Sequence, residues 1–343
     1  MNDQDMDDEN LPIPTEACMV LVLGETGAGK SYFIKKLTEN PSVIVGHGLE
    51  SCTQHSQAFE TQIGGTNLLL IDTPGFNDSV RSDAQVVMEI ATSLAVQAAM
   101  GVRLLGIIYV FDISGTRMTN SLKRELEILR LIAGPRNYQH ILLVTTKWGD
   151  VSQKRAFEIR QYSLEAEYWD DLIQGKAGVH QFDGTAQSAR SIVAQLNFKD
   201  TATLDLQKEM AKNIPFLQTK VGSFTTQSRI ETQRRLDDAL GVPNVNIASN
   251  DTLRHRYANS RSASSTVVEL ETSLQRSKSD KLKMNVLLDD QVKQWIQEAV
   301  KEEKQKTKKK PTATKAVNWV LGAAVKFFSK FDKDADQYVV VQR

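Results

Sequence analysis

The sequence predicts an α/β fold with a doubly wound, mostly parallel sheet. Two observations support this prediction. First, the apolar run Met19–Leu23 stands directly before the glycine-rich segment Gly24–Ser31, and a helical pattern from Tyr32 to Thr38 follows it. Second, short apolar runs alternate with longer helical patterns up to about residue 198, which is typical of strands joined by crossover helices.

The glycine-rich segment has the pattern G-x-x-x-x-G-K-S, which forms a phosphate-binding P-loop when a strand precedes it and a helix follows. Its glycines let backbone N–H groups surround a phosphate, and the helix N-terminus adds a favourable partial charge. Lys30 can reach the β- and γ-phosphates, and the Ser31 hydroxyl can coordinate Mg²⁺. The sequence therefore predicts nucleotide binding by Gly24, Glu25, Thr26, Gly27, Ala28, Gly29, Lys30, Ser31 and Tyr32.

A second apolar run, Leu68–Ile71, ends in Asp72-Thr73-Pro74-Gly75. The Asp72 carboxylate can hold Mg²⁺ there, and Gly75 can offer its backbone N–H to the γ-phosphate. Thr53 lies in a polar stretch between the two motifs, where its hydroxyl can complete the Mg²⁺ shell; Ser51 is an alternative, and a merely solvated loop is another. We predict that Lys30 and Thr53 are catalytic and that Ser31, Thr53 and Asp72 are metal ligands.

The segment after the apolar run Ile141–Val144 reads Thr145-Thr146-Lys147-Trp148-Gly149-Asp150, close to the guanine-reading motif N/T-K-x-D. In that motif the lysine stem packs over the base, and the carboxylate accepts two hydrogen bonds that guanine donates and adenine cannot. Asp150 stands one position late, because Gly149 is inserted. Either the loop bulges at Gly149 and returns Asp150 to the base, which we favour, or selectivity for guanine is weak. The predicted base-contacting residues are Thr146, Lys147 and Asp150.

These motifs resemble those of the septin-related and immunity-associated GTPases, and in particular of fungal proteins that contain a G domain. The resemblance covers roughly residues 17–198 and implies a P-loop GTPase type of fold, GTP/GDP and Mg²⁺ as cofactors, slow hydrolysis, and pairing of two G domains in a homodimer. Five further segments add to it: Phe76-Asn77-Asp78, Gly106-Ile107-Ile108-Tyr109, Arg117-Met118, Val144-Thr145-Thr146 and Ser188-Ala189.

The remaining elements of this G domain follow from periodicity and turn residues. The run Gln57–Ile63, the turn Gly64-Gly65 and the run Thr66–Asp72 predict a hairpin. Thr185 is either part of a base-contacting loop or the N-cap of a helix. The other predicted elements are helices over 82–100, 120–134, 156–173 and 186–196 and strands over 104–111 and 179–182.

Composition suits a cytoplasmic protein. In 343 residues, Lys+Arg and Asp+Glu balance at 42 each, so no net charge favours nucleic acid, and we expect none as a partner. Two cysteines, Cys18 and Cys52, suit a reducing compartment. Residues 1–16 are acidic and polar, unlike a signal peptide, and are predicted to be a disordered N-terminus.

Two further segments are predicted beyond the G domain. Residues 199–310 form a helical, partly flexible extension, in which Leu288, Val292, Trp295 and Ala299 have coiled-coil-like spacing; packing on the G domain explains that spacing equally well. Residues 311–343 are predicted to be an amphipathic basic helix and tail. The apolar face of this helix consists of Val317, Val320, Leu321, Ala324, Val325, Phe328 and Phe331.

The amphipathic helix has two interpretations. A basic helix with an aromatic-rich face can lie in a membrane interface, and the lysine-rich stretch before Pro311 favours peripheral membrane contact through residues 306–331. The alternative is that this face docks on the protein's own body, which is the commoner role of such helices.

The function predicted from these patterns is Mg²⁺-dependent GTP binding with slow hydrolysis that self-association increases. Just after Gly75, where Ras-type GTPases place a water-orienting Gln, this chain has Phe76 and Asn77. No arginine finger in cis is evident, although Arg81 or Arg117 could serve a partner. The alternatives are a nucleotide-gated scaffold with little hydrolysis, or a P-loop ATPase if Asp150 cannot reach the base.

Overall fold

The computed structural model describes residues 17–46, 53, 55–78, 81–196, 198, 200–212 and 214–225, together with Thr314, Val317, Asn318, Leu321 and Gly322. Within these residues a six-stranded sheet has the order β2-β3-β1-β4-β5-β6, with β2 antiparallel to β3 and the other pairs parallel. The predicted mostly parallel sheet of P-loop GTPase type is confirmed. Its strands are β1 (Cys18–Gly24), β2 (Gln57–Ile63), β3 (Thr66–Asp72), β4 (Arg103–Asp112), β5 (Ile141–Thr146) and β6 (Gly178–Gln181).

Helices cover both faces of the sheet, as a parallel sheet requires. They are α1 (Lys30–Thr38), α2 (Asp83–Ala99), α3 (Asn120–Ala133), α4 (Lys154–Ser163), α5 (Asp170–Gln174), α6 (Ala186–Val193) and α7 (Asp205–Ala211). Ser82 begins α2 with a reciprocal capping box to Gln85. The Thr185 hydroxyl accepts the Ser188 N–H at 3.1 Å, so Thr185 is the N-cap of α6.

The apolar runs that predict the strands are buried on both sides. Every residue of β1 and β5 is buried, which explains why these strands read as continuous apolar segments rather than as alternating ones. The hairpin of β2 and β3 turns at Gly64 and Gly65, whose φ angles of 56° and 81° are those that a tight two-residue turn needs. The buried apolar side chains form two core layers, one on each face of the sheet.

The helix predicted over 156–173 is interrupted. After α4 the chain forms a π-helical turn over Leu164–Tyr168, and the Trp169 N–H donates to the Leu164 carbonyl at 2.8 Å. This turn brings Trp169 into the core, where its ring packs edge-on against Phe111 at 5.7 Å. The interruption follows from burial of this large side chain, which local periodicity does not reveal.

The buried core continues past residue 198, where the predicted G domain ends. Leu204, Leu206, Phe216 and Val221 are fully buried in the core layer that contains α2 and α3. The predictions for residues 1–16 and for most of the extension, including the coiled-coil spacing at 288–299, lie outside the described residues.

The few described residues near the C-terminus include some that contact edge strand β2. The Asn318 side chain makes two hydrogen bonds with Ala58: its Oδ1 accepts the Ala58 N–H at 2.6 Å, and its Nδ2 donates to the Ala58 carbonyl at 2.8 Å. Val317 and Leu321, two residues of the predicted apolar face, are only 1% and 3% exposed. This part of the face is therefore docked on the protein itself.

No helix in the described part of the chain is both long and apolar enough to cross a membrane.

The sheet core predicts a contrast between two isoleucines. Ile107→Ala in the fully buried centre of β4 should lower the free energy of unfolding by about 2–5 kcal/mol, because it leaves a cavity. Ile44→Ala, at a position 73% exposed, should change it by no more than about 0.5 kcal/mol. Denaturant unfolding measures both values, and equal losses would contradict the assignment of the core.

Candidate functional site

The glycine-rich segment connects the carboxyl end of β1 to the N-terminus of α1 at Lys30. Gly24 has a φ of 143°, and a Cβ there would stand 2.2 Å from the Val110 carbonyl oxygen of β4. Gly27 and Gly29 also have positive φ angles, 81° and 99°. Glycine is required because the loop turns tightly against the neighbouring strand. The result is a P-loop next to the free N–H groups of a helix N-terminus.

Lys30 is a buried cation at the centre of this loop. Its Nζ donates to the carbonyl oxygens of Gly24 and Glu25, both at 2.9 Å. Burial lowers the pKa of Lys30, while the nearby carboxylates, Asp72 first among them, raise it. The amine is thus held inside the P-loop, where a phosphate could replace its carbonyl partners.

Three oxygen-bearing side chains meet beside Lys30. The Ser31 hydroxyl donates to Asp72 Oδ2 at 2.7 Å, and the Thr53 hydroxyl donates to the same oxygen at 3.1 Å. The two hydroxyl oxygens are 3.2 Å apart. The sequence predicts Ser31, Thr53 and Asp72 as metal ligands, and the structure brings these three side chains together; Ser51 lies outside the described residues.

This oxygen cluster suits a small divalent cation. Asp72 Oδ1 is buried and has no hydrogen-bond partner within the part of the chain that is described. Burial raises the pKa of Asp72, and the hydrogen bond from Ser31 and the charge of Lys30 act against this. Hydroxyl and carboxylate oxygens are ligands that Mg²⁺ accepts, so these residues fit the predicted ion.

The turn after β3 lies directly on the P-loop. The Thr26 N–H donates to the Phe76 carbonyl at 2.9 Å, and the Phe76 N–H donates to the Gly24 carbonyl at 3.2 Å. A Cβ on Gly75 would stand 2.4 Å from the Thr26 nitrogen, so only glycine permits this approach. Gly75 therefore lies against the P-loop, and its contact with a γ-phosphate stays a prediction.

The predicted guanine motif follows β5 and faces the P-loop from the other side. The Thr146 hydroxyl donates to the Ala28 carbonyl at 2.7 Å, and Lys147 Nζ bonds to Asp112 Oδ2 at 2.6 Å. The left-handed residue of this loop is Lys147, with a φ of 64°, rather than Gly149. The exposed Asp150 carboxylate accepts hydrogen bonds from the backbone and hydroxyl of Ser152 at 3.0 and 2.6 Å.

Tyr32 links α1 to the loop after β6. Its ring lies 6.0 Å from that of Phe182, and its hydroxyl donates to the Gly184 carbonyl at 3.4 Å. Tyr32 thus stands at the edge of the loop that the sequence places near the base. Its contact with a nucleotide stays a prediction, as do the roles of the other site residues.

Sequence reasoning missed Asp112, which pairs with Lys147, and Glu125 of α3, which is only 2% exposed. Burial raises the pKa of Glu125 to about 8, while the Tyr109 hydroxyl and Lys30 oppose the rise. A signal for Glu125 was available: it occupies a core-facing position in the spacing Leu122, Glu125, Leu126, Leu129. That spacing predicts a buried side chain at position 125 but does not reveal that its carboxylate interacts electrostatically with Lys30 of the P-loop.

Comparison with known proteins agrees with this geometry. Residues 19–147, less than half of the chain, match the family model described as 50S ribosome-binding GTPase. That range includes the P-loop, the oxygen cluster of Ser31, Thr53 and Asp72, the turn at Gly75 and the start of the predicted guanine motif. Residues 19–147 are a GTPase domain. The finer resemblance of this GTPase domain to septin-related and immunity-associated proteins stays a prediction.

Individual relatives are similar over limited stretches. GTP-binding protein A of Dictyostelium discoideum is 45% identical over 62 residues, which are 18% of this chain and only 13% of that protein. A dimerisation-deficient variant of Toc33 from Arabidopsis thaliana has a TM-score of 0.41 and 17% identity, covering 55% of this chain and 87% of that one. Era, in complex with MgGDPNP and a segment of 16S ribosomal RNA, has a TM-score of 0.39 and 15% identity, covering 55% and 59%. These structural similarities are too low to assign a function.

The contact between the two loops of the GTPase domain predicts a contrast between two glycines. Gly75→Ala should weaken guanine-nucleotide binding by about tenfold or more, because its Cβ forces Thr26 away. Gly115→Ala should leave affinity unchanged, since its Cβ would meet the Asp112 carbonyl at an ordinary van der Waals distance of 3.7 Å. Titration with a fluorescent guanine nucleotide measures both. Normal affinity in a folded Gly75→Ala variant would contradict a role for this contact.

Proposed function

We propose that the chain binds GTP with Mg²⁺ and hydrolyses it slowly to GDP and phosphate. The observation that carries this proposal is the convergence of Lys30, Ser31, Thr53 and Asp72 beside the contact between Gly75 and the P-loop. Cation, hydroxyl and carboxylate groups at a helix N-terminus are the groups that hold a triphosphate and its metal ion.

In this proposal each residue has a defined role. The Lys30 ammonium exchanges its bonds to the Gly24 and Glu25 carbonyls for phosphate oxygens and stabilises charge that develops there. Ser31, Thr53 and Asp72 hold Mg²⁺, which when bound neutralises negative charge on the phosphates. Water attacks the γ-phosphorus, the bond to the β–γ bridging oxygen breaks, and the products are GDP and inorganic phosphate.

Slow turnover is supported by the residues that follow Gly75. Phe76 is buried, and its backbone is committed to the P-loop. The Asn77 side chain donates to Glu25 Oε1 at 2.7 Å. Neither side chain is therefore placed to orient an attacking water, and the same observation favours the alternative of a nucleotide-gated scaffold that hardly hydrolyses GTP.

Self-association is supported by the position of Arg117. This exposed arginine lies between β4 and α3, on a loop that begins beside the Asp112–Lys147 pair. It makes no hydrogen bond or ion pair with any residue that the structure describes. An arginine so placed can enter the phosphate site of a second copy, and a finger supplied in trans raises turnover by about 10³–10⁵ in other GTPases. A homodimer through the G domain is therefore part of the proposal.

The cellular setting is proposed from sequence alone. Cysteine usage and charge balance support a cytoplasmic location, and the basic amphipathic stretch at 306–331 supports peripheral membrane contact.

Nucleotide choice tests the guanine motif. We expect GTP and GDP to bind more tightly than ATP with Mg²⁺, and Asp150→Asn to reduce the GTP-to-ATP affinity ratio about ten- to a hundredfold, because a hydrogen bond to a charged group contributes about 1.5–3 kcal/mol. Ser152→Ala is the matched control, since it disturbs the same turn but keeps the carboxylate. A ratio that Asp150→Asn does not alter would support the P-loop ATPase alternative.

Turnover at different protein concentrations tests self-activation. Specific GTPase activity should be low in dilute protein and rise with concentration, and Arg117→Ala should abolish the rise while nucleotide affinity is kept. Arg155→Ala, at an exposed position on α4, should behave like the natural sequence. Constant low activity at every concentration would favour the scaffold, and rapid concentration-independent hydrolysis would point to a catalytic group in cis.

A further inference from the structure

One apolar surface has two incompatible uses. Val317 and Leu321 belong to the face that the sequence offers to a membrane, yet both are buried within the core layer that includes Ala58 of β2. A side chain packed in the protein interior cannot enter a bilayer at the same time. Docking on β2 and insertion into lipid therefore exclude each other.

Two hydrogen bonds between Asn318 and Ala58, which we call the polar lock, hold the docked state. Ala58 lies on the edge strand of the sheet, and both of its backbone groups bond to the carboxamide of Asn318. This carboxamide pairs with Ala58 as the peptide group of a neighbouring strand would. Nearby, the Thr314 N–H donates to Glu60 Oε1 at 3.4 Å, which extends the contact along β2. Asn318 itself contributes no apolar surface to a membrane.

The chemistry of the surrounding sequence selects a lipid surface as the competing partner. Lysines stand before the apolar face at 306 and 308–310 and flank it at 315, 326 and 330, and the face itself contains Phe328 and Phe331. Lysines near an anionic surface are each attracted by about 1 kcal/mol, and aromatic side chains suit the boundary between headgroups and acyl chains.

We propose that the β2 edge sequesters the membrane-binding face of the C-terminal helix, and that the Asn318–Ala58 pairing sets how readily the face is released to an anionic bilayer. This inference rests on the membrane contact proposed above and adds its regulation. Two neutral hydrogen bonds at a partly exposed site hold the docked state on the order of tenfold more firmly than none would. The lock is thus strong enough to limit membrane binding and weak enough to open.

The test uses the full chain and three variants. Asn318→Ala removes the lock and keeps the apolar face. Asn67→Ala is the matched control, because it removes from the same sheet an exposed carboxamide of β3 whose oxygen accepts a hydrogen bond from the Gln62 side chain. Leu321→Asp disrupts docking and places a charge in the face. Co-sedimentation with vesicles of phosphatidylcholine, with and without phosphatidylserine, measures binding, and amide exchange at Ala58 reports docking.

We expect the Asn318→Ala variant to show faster amide exchange at Ala58 than the natural chain. We also expect it to bind anionic vesicles on the order of tenfold more tightly. Asn67→Ala should match the natural chain in both measurements, and Leu321→Asp should exchange faster without gaining vesicle affinity. Suppose that the natural chain binds vesicles and that Asn318→Ala exchanges faster at Ala58 but binds vesicles no more tightly. Competition between docking on β2 and membrane binding would then be overturned, while the membrane contact itself would stand.

Absence of vesicle binding by every variant would overturn both the competition and the membrane contact. A concentration-dependent dimer of Asn318→Ala without greater vesicle binding would also overturn the proposal, because the released face would then belong to a second copy. Neither outcome bears on nucleotide binding, which is measured separately.

Discussion

The nucleotide site depends on backbone contact between the loops that follow the adjacent strands β1 and β3. Parallel pairing of these strands brings both carboxyl ends to one edge of the sheet, where the Thr26 N–H donates to the Phe76 carbonyl and the Phe76 N–H donates to the Gly24 carbonyl. The contact needs glycine at Gly24 and Gly75, because a side chain at either would strike neighbouring backbone. Lys30 and Asp72 acquire their relative positions from this arrangement.

Burial acts on the two charged groups of the site in opposite directions. It lowers the pKa of Lys30 and raises that of Asp72, so in each case it disfavours the charged form. A phosphate favours the charged lysine, and a cation favours the charged carboxylate. Burial raises the pKa of Glu125 on α3 in the same way, and the charge of Lys30 opposes the rise there too. The electrostatics of the site therefore suit a ligand that carries both signs of charge, such as a metal–triphosphate complex.

The mostly parallel sheet, the hairpin of β2 and β3 and the P-loop could be predicted because each depends on local patterns: apolar runs, glycine spacing and strand ends. The π-helical turn before Trp169 could not be predicted, because it depends on how the Trp169 ring packs against Phe111, which is distant in sequence. The Asp112–Lys147 pair joins the ends of neighbouring strands, and only the fold reveals it. The apolar face at Val317 and Leu321 could be predicted, but the surface on which it packs could not, since periodicity identifies the apolar face of a helix and not its partner.

The pairing of Asn318 with Ala58 has a consequence for how fragments of this protein behave. An uncovered edge strand offers unpaired N–H and C=O groups that join readily to another sheet. A fragment that ends after residue 225 would retain all six strands yet uncover the peptide groups of Ala58 and the apolar surface beneath Val317 and Leu321. Oligomers of such a fragment would form by sheet-to-sheet pairing at the uncovered edge of β2, and they would not report on the homodimer that we propose through the G domain.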